Sequence, residues 1–478
     1  MIHADVIVIG AGEAGAMVAS LAVDAGAEVV LAYRDPWGST CLNVGCVPSK
    51  FLIHRANVAH AARTADRFHV STGGVDVDLR RIVDEKRAYV DEHREVSWRA
   101  AVANPRLTLL EGSAEFVAPN QVRVGETVAA SDRIFIATGL RPTTPRIAGL
   151  DGGPWLTNET VMELPSPPEH LIVMGGGYIA CELGQTYWRF GSKVTILQRG
   201  ERLLPQEEPD ASTSVERAFA EEGIDVRTRR EARSVAWNGD RPILEVVGPD
   251  EELSILEGSH LLIAVGRRPN AGVIRVDRAG VLTDSRGYVR VDDELRTTTP
   301  GIWAIGDVNG QQPFTRVCQE EGKLAFANAF HGAHLRMERS SLPHAIFTDP
   351  EIGAVGLTER AARDRGHDVL AGLVPFGRIE KAEITGQTRG FIKYVADRKT
   401  HRLLGCHVVG PHASELVYDA VVVMRRGGLL DDLAMAVGVF PTLQEGMEGT
   451  ARAVLRRTAP EEVSGPLVTA RHGGGGSR

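Results

Sequence analysis

A glycine pattern that occurs twice, each time directly behind a short apolar run, constrains this chain more than any other feature. Val6 to Ile9 is such a run, with the pattern of a parallel strand covered on both faces, and Gly10-Ala11-Gly12-Glu13-Ala14-Gly15 follows at once. Leu171 to Met174 is another, followed by Gly175-Gly176-Gly177-Tyr178-Ile179-Ala180. In this setting the first glycine permits a tight turn, and the second lets the backbone approach a pyrophosphate. The third, Gly15 in the first copy, lets the helix pack on the strand, and the helix N-terminus offers its unpaired N–H groups to phosphate. A helix over about residues 14–25 and a strand over 28–31 complete the first βαβ unit, and Lys193 to Leu197 gives the second unit its next strand. Two copies in strand–turn–helix context predict two dinucleotide sites.

The length of 478 residues calls for about three domains. The apolar runs Ile134-Phe135-Ile136-Ala137-Thr138-Gly139 and Leu261 to Pro269 each return the chain to its own nucleotide fold. The expected organisation is therefore a first nucleotide domain over 1–150 and a second over 151–272. A central segment, 273–340, completes the first through Ile302 to Asp307. An α+β domain spans 341–458, and a flexible, glycine-rich tail spans 459–478.

Charged residues make up 24% and apolar residues 43%, which excludes disordered and coiled-coil classes. The net charge of −8, without a basic run, argues against nucleic acid or an anionic membrane as the main partner. No apolar stretch reaches the roughly 18–20 residues of a membrane span, and the first residues lack the basic start of a signal peptide. A cytoplasmic protein with small-molecule partners is expected.

Five cysteines are too few, and odd in number, for a secreted disulfide scaffold. Two of them lie in Gly38-Ser39-Thr40-Cys41-Leu42-Asn43-Val44-Gly45-Cys46-Val47-Pro48-Ser49-Lys50. Their C-x₄-C spacing at the start of a helix can close a disulfide, and the helix N-terminus with Lys50 would stabilise a thiolate. With no second Cys pair and no His cluster, a redox dithiol is expected and a structural metal site is not.

This segment resembles the active-site motif of the class I pyridine nucleotide-disulfide oxidoreductases, flavoproteins that include dihydrolipoamide dehydrogenase, glutathione reductase and mercuric reductase. An ordered series of motifs extends the resemblance over about residues 5–455. It implies an α/β protein with Rossmann-like FAD and NAD(P)H domains and a C-terminal α+β dimerisation domain, working as a homodimer whose active site is shared between subunits. On matching positions it implies Cys46 as the thiol that forms a charge-transfer complex with the flavin, and Cys41 as the interchange thiol. Lys50 and Glu182 match the ion pair beside flavin N5, and Asp307 the acid on the ribityl chain. FAD contacts are expected from Gly10, Gly12, Glu13, Ala14, Gly15, Tyr33, Arg34, Thr40, Lys50, Ala114, Thr138, Gly139, Gly306 and Asp307. Those to the nicotinamide coenzyme are expected from Gly175, Gly177, Tyr178, Ile179, Gln198, Arg199, Val265 and Gly266.

Coenzyme choice turns on the end of the second fold's second strand, where an acid binds a ribose 2′-hydroxyl and an arginine accepts a 2′-phosphate. The chain has Gln198-Arg199 with Arg202 beyond, which favours NADPH over NADH. The equivalent FAD position holds Tyr33 where relatives carry a glutamate, with Asp35 or Tyr33 itself as the substitute.

The family's disulfide reductases end in His-Pro-Thr-x-x-Glu, with the histidine as general acid/base, a role worth about 10²- to 10⁴-fold. This chain reads Phe440-Pro441-Thr442-Leu443-Gln444-Glu445. Dihydrolipoamide or glutathione turnover is thereby disfavoured. Mercuric reductases also carry Phe-Pro, but their C-terminal Cys pair is missing after Cys406 and their next tyrosine is Thr442. The expected reaction carries electrons from NADPH through FAD and Cys41/Cys46 to a soft metal ion or a specialised small thiol or disulfide, with Glu445 holding substrate. The alternatives are a lipoamide-type reductase, a quinone reductase or transhydrogenase that uses FAD directly, and a redox sensor without turnover. Cys181, Cys318 and Cys406 are expected to be core residues.

Overall fold

The computed structural model describes residues 1–458, so the tail expected over 459–478 lies outside the described residues. Two compact units form, Met1–Pro350 and one that begins at Glu351.

The first unit contains two parallel sheets. One has the strand order Ile302–Ala304, Ile134–Ile136, Val6–Ile9, Val29–Tyr33, Leu107–Glu111. Its central strand is buried at every position because the sheet is covered on both sides. Ile7 and Ile9 join Val30 and Ala32 in one apolar cluster, while Val6 and Val8 join Val29 and Leu31 in another. The second sheet has the order Asp225–Thr228, Lys193–Gln198, His170–Met174, His260–Ile263. In each sheet the fingerprint strand sits between the strand that follows it and the strand that returns, which opens a crevice at its carboxyl end.

Both turns close by the same steric device. Gly10 has φ 111°, and a Cβ there would lie 2.4 Å from the Ala137 carbonyl oxygen; Gly175 has φ 114°, and a Cβ would lie 2.3 Å from that of Ala264. The return strands therefore press their last carbonyl against the first glycine of each fingerprint, which no larger residue permits.

The second strand of the first sheet runs two residues past the expected 28–31, to Tyr33, because Tyr33 finds a register partner in Glu111. That partner lies 78 residues away in sequence, beyond the reach of a local pattern. The strand Ile302–Ala304 pairs in parallel with Ile134–Ile136, so the central segment returns to the first sheet.

In the second unit, strands Glu351–Gly356, Leu403–Gly410, Phe391–Asp397 and Val369–Pro375 run antiparallel in that order. With Glu445–Leu455 and the helices before it they enclose a core that includes Tyr394, Cys406 and Val408. Among the described residues no helix is long and apolar enough to cross a membrane.

Gly175→Ala should destabilise the protein by about 1–3 kcal/mol through left-handed strain and the carbonyl clash. Gly177→Ala, at extended φ −83° with nothing within 4 Å of its Cβ, should stay within about 0.5 kcal/mol. Parallel denaturant melts of the two variants compare them.

Candidate active site

The C-x₄-C segment does not open a single helix. It folds as a short helix, Thr40–Val44, and a longer one, Cys46–Arg63, so the two cysteines lie on different helices. Ser39 caps the first, its hydroxyl accepting the Leu42 N–H at 3.1 Å. Gly45 is the joint, where a Cβ would lie 2.7 Å from the Thr40 carbonyl oxygen. The close approach brings the two sulfurs together and sets Cys46 as the first residue of the long helix, where N–H groups lack helical partners.

Both cysteines are free thiols. The hydrogen bond from Cys41 is the main cause that lowers the Cys46 pKa to about 6, against the opposing effect of burial, with Thr315 and Lys50 adding to it. Cys41 moves the other way: its bond to Cys46 first, then burial, hold its proton on. The pair thus shares one proton, on Cys41, with the negative charge on Cys46.

Thr315 is a neighbour to which the sequence motifs assign no role. Its Oγ1 lies 3.5 Å from Cys46 Sγ, and it is the first residue of the helix Thr315–His331. The signal available was its place at a helix start just after Gly306-Asp307.

Lys50 Nζ meets Glu182 at 2.7 Å, and Glu182 is only 4% exposed; its other oxygen accepts the Phe347 N–H at 2.9 Å. Two more contacts bind the same helices, Cys46–Arg63 and Tyr178–Phe190: Arg189 donates to Asn57 at 2.6 Å, and Arg63 donates to the Arg189 carbonyl. A grouping of potential metal ligands, His60, Glu222 and Asp349, surrounds Arg189, whose guanidinium already pairs with both carboxylates.

The first crevice fits a flavin dinucleotide. Among the described residues, Thr138 Oγ1 and Arg267 Nε are buried without a hydrogen-bond partner, and a Cβ at Gly12 would have nothing nearer than 3.9 Å. Arg267 lies 3.2 Å from Asp307, which also accepts the thiol of buried Cys318 at 3.3 Å. Glu321, which sequence reading passed over, is 1% exposed and accepts the Gly306 N–H at 2.7 Å, fixing the Gly-Asp turn. Both Glu13 carboxylate oxygens are engaged within the protein: one accepts from Ser39 and the other from Gln319, both at 2.8 Å. It therefore ties the fingerprint helix to the dithiol loop and to the Thr315 helix. Ala14 and Gly15 pack inside that helix, and Gly139 leaves its side open. Ala114 is buried at a strand start, while Arg34 and Thr40 are exposed.

The second crevice keeps open space at Gly177 and Gly266, beside exposed Tyr178 and Val265 and half-buried Ile179. At its far end Gln198 is buried and donates to the Arg202 carbonyl at 3.0 Å, and Arg202 donates to the carbonyls of Pro205 and Glu207. Arg199 is exposed and unpaired among the described residues.

In the second unit, Phe440 is 69% exposed, and Glu445 is the half-buried first residue of Glu445–Leu455, its carboxylate unpaired among the described residues. Cys181 and Cys406 are fully buried, as core residues should be.

Two dinucleotide crevices and a polarised thiol pair define a class, the redox enzymes that pass electrons from one bound dinucleotide through another to sulfur. Residues 4–322 match the family described as pyridine nucleotide-disulphide oxidoreductase, and residues 342–451 match its dimerisation domain. The chain belongs to this family: it is an NAD(P)H-dependent flavoprotein oxidoreductase that uses FAD, and its dimerisation domain supports a homodimer. It is 36% identical over 446 residues to the mercuric reductase of Bacillus cereus, covering 93% of this chain and 70% of that one. To the mercuric reductase of Streptomyces lividans it is 36% identical over 455 residues, 94% of this chain and 95% of the other. The dihydrolipoyl dehydrogenase of Haloferax volcanii is 34% identical over 461 residues, 94% and 96% respectively. Among solved structures, the Cu(II) complex of the HOCl-induced flavoprotein disulfide reductase RclA from Escherichia coli superposes with a TM-score of 0.85 at 28% identity. That match covers 95% of this chain and all of the other.

The Cys46 thiolate exists above its pKa of about 6 and is lost as the pH falls through it. The thiolate–flavin absorption band of the reduced enzyme should titrate with that midpoint. Thr315→Val, which removes a hydrogen bond to the charged form, should move the midpoint upward by about one pH unit.

Proposed function

We propose that the enzyme carries electrons from NADPH to the Cys41/Cys46 pair and from there to a soft metal ion. The observation that carries the reading is Phe440, which stands where the family's disulfide reductases place their general acid/base. Reduction of a disulfide substrate needs a proton delivered to the departing sulfur, and a phenylalanine supplies none. Reduction of a thiolate-bound cation needs no such delivery. A divalent soft cation displaces the remaining Cys41 proton and is held by both sulfurs. Two electrons leave the sulfurs as the Cys41–Cys46 disulfide closes, which converts Hg²⁺ to Hg⁰ or two Cu²⁺ to two Cu⁺. The names of the mercuric reductase relatives and the Cu(II) complex of RclA support this acceptor class.

The chemistry that bound FAD supplies is acceptance of a hydride from NAD(P)H and release of two electrons to sulfur. Around it, residues 1–150 and 273–340 form the FAD site, 151–272 the coenzyme site, and 341–458 the subunit interface that completes a shared active site. Lys50 and Glu182 would flank the flavin, and Asp307 would hold its ribityl chain. Arg199, free of internal partners among the described residues while Arg202 is engaged, receives the NADPH 2′-phosphate. A cytoplasmic location suits the buried free thiols, which that compartment keeps reduced.

A second reading, a small disulfide or thiol acceptor, draws on the dihydrolipoyl dehydrogenase relatives and on the unpaired Glu445.

NADPH oxidation should respond to Hg²⁺ or Cu²⁺ more than to lipoamide, glutathione disulfide or quinones, and Cys46→Ser should abolish the metal-dependent rate. Quinone-dependent turnover that dominates and survives Cys41→Ala would replace this reading with direct electron transfer from FAD. Arg199→Ala should raise KM for NADPH about tenfold and leave KM for NADH unchanged.

A further inference from the structure

The first nucleotide fold lacks the acid that ordinarily closes the second strand and takes the ribose hydroxyls of its dinucleotide. Tyr33 occupies that place. Its side chain does not reach into solvent. The ring packs edge-on against Trp37 at 5.2 Å and tilted against Trp98 at 5.6 Å, and these two indoles meet each other at 5.3 Å. Trp37 is anchored in turn by an indole N–H to Ser97 at 3.0 Å. The phenol is thus held in one orientation, and it donates to Glu111 Oε2 at 3.2 Å.

Glu111 is the last residue of the neighbouring strand and the register partner of Tyr33, so both lie at the carboxyl edge where a dinucleotide binds. Alternation along the strands places Leu31 and Tyr33, and beside them Leu109 and Glu111, on one face of the sheet. The fingerprint helix Glu13–Asp24 packs on that face, through Ala14, Val18 and Ala22. The helix N-terminus that takes the pyrophosphate and the Glu111 carboxylate therefore serve the same side. Burial, then Glu111, push the Tyr33 pKa up, so the phenol stays a donor. Glu111 is exposed, and its Oε1 has no partner among the described residues. Asp35, the other acid at hand, is exposed and bonded to nothing among the described residues, so nothing orients it.

We infer that Glu111, oriented by Tyr33, is the acceptor for the adenosine ribose hydroxyls of FAD: the missing carboxylate is supplied from the next strand. Tyr33 is a positioning residue. The inference concerns the cofactor's adenosine end and is independent of which acceptor the enzyme reduces.

Flavin is stripped from the holoenzyme and FAD is titrated back while flavin fluorescence is followed. Glu111→Gln should weaken FAD binding about tenfold, the worth of a hydrogen bond to a charged acceptor. Tyr33→Phe should weaken it less, and Asp35→Asn should leave it unchanged. An FAD analogue with 2′,3′-dideoxyadenosine should bind the unaltered protein about tenfold more weakly than FAD does, and should bind Glu111→Gln as well as FAD does. Three outcomes would overturn the assignment: FAD binding to Glu111→Gln that equals the unaltered protein's, a variant that still discriminates against the analogue by the full factor, or a loss on Asp35→Asn as large as on Glu111→Gln.

Discussion

The active-site geometry rests on the fastening of two helices. Cys46–Arg63 begins at the more acidic thiol, Tyr178–Phe190 begins at the second crevice, and among the described residues hydrogen bonds join them along their length. Lys50 meets Glu182, Asn57 meets Arg189, and Arg63 meets the Arg189 carbonyl. Arg189 and its partner Glu222 are both nearly inaccessible to solvent, so the cation cannot leave without stranding a buried carboxylate. This fastening fixes the coenzyme end and the thiol end of the electron path in one frame. It also explains why so polar a face sits between two folds that otherwise bury apolar strands.

Features that depend on near neighbours were legible in the sequence. The fingerprints, the return strands and the Cys41/Cys46 pair each combine a few adjacent residue types whose chemistry has one economical reading. What stayed hidden depends on residues far apart in the chain. Thr315 reaches Cys46 across 269 positions, Glu111 reaches Tyr33 across 78, and Gln319 reaches Glu13 across 306. No period or spacing encodes such pairings, because sheet order and helix docking create them. The break at Gly45 was hidden for another reason: a helix start was readable, but the close approach to Thr40 that splits it in two is a steric fact of the folded turn.

Glu13 stands at the mouth of a phosphate-binding turn, where a free carboxylate would repel its ligand, and hydrogen bonds from Ser39 and Gln319 draw its charge aside. Tyr33 ends its strand and fixes the Glu111 carboxylate through its phenol. Phe440 can carry no proton, and Pro441, Thr442 and Glu445 follow it. In each case a side chain, not the backbone, decides where charge or a proton sits.

The division of one proton between two sulfurs has a thermodynamic consequence. Near neutral pH the reduced pair carries a single negative charge, because Cys41 holds its proton while Cys46 has lost its own. A divalent cation captured by both sulfurs, as proposed above, would expel that one proton rather than two, so its apparent affinity would rise tenfold per pH unit in this range. Below about pH 6, where Cys46 is also protonated, capture must expel both, and the dependence steepens to a hundredfold per unit. On the proposed reading, the uneven thiols thus set a pH below which the pair's hold on such a cation falls away twice as fast on the logarithmic scale.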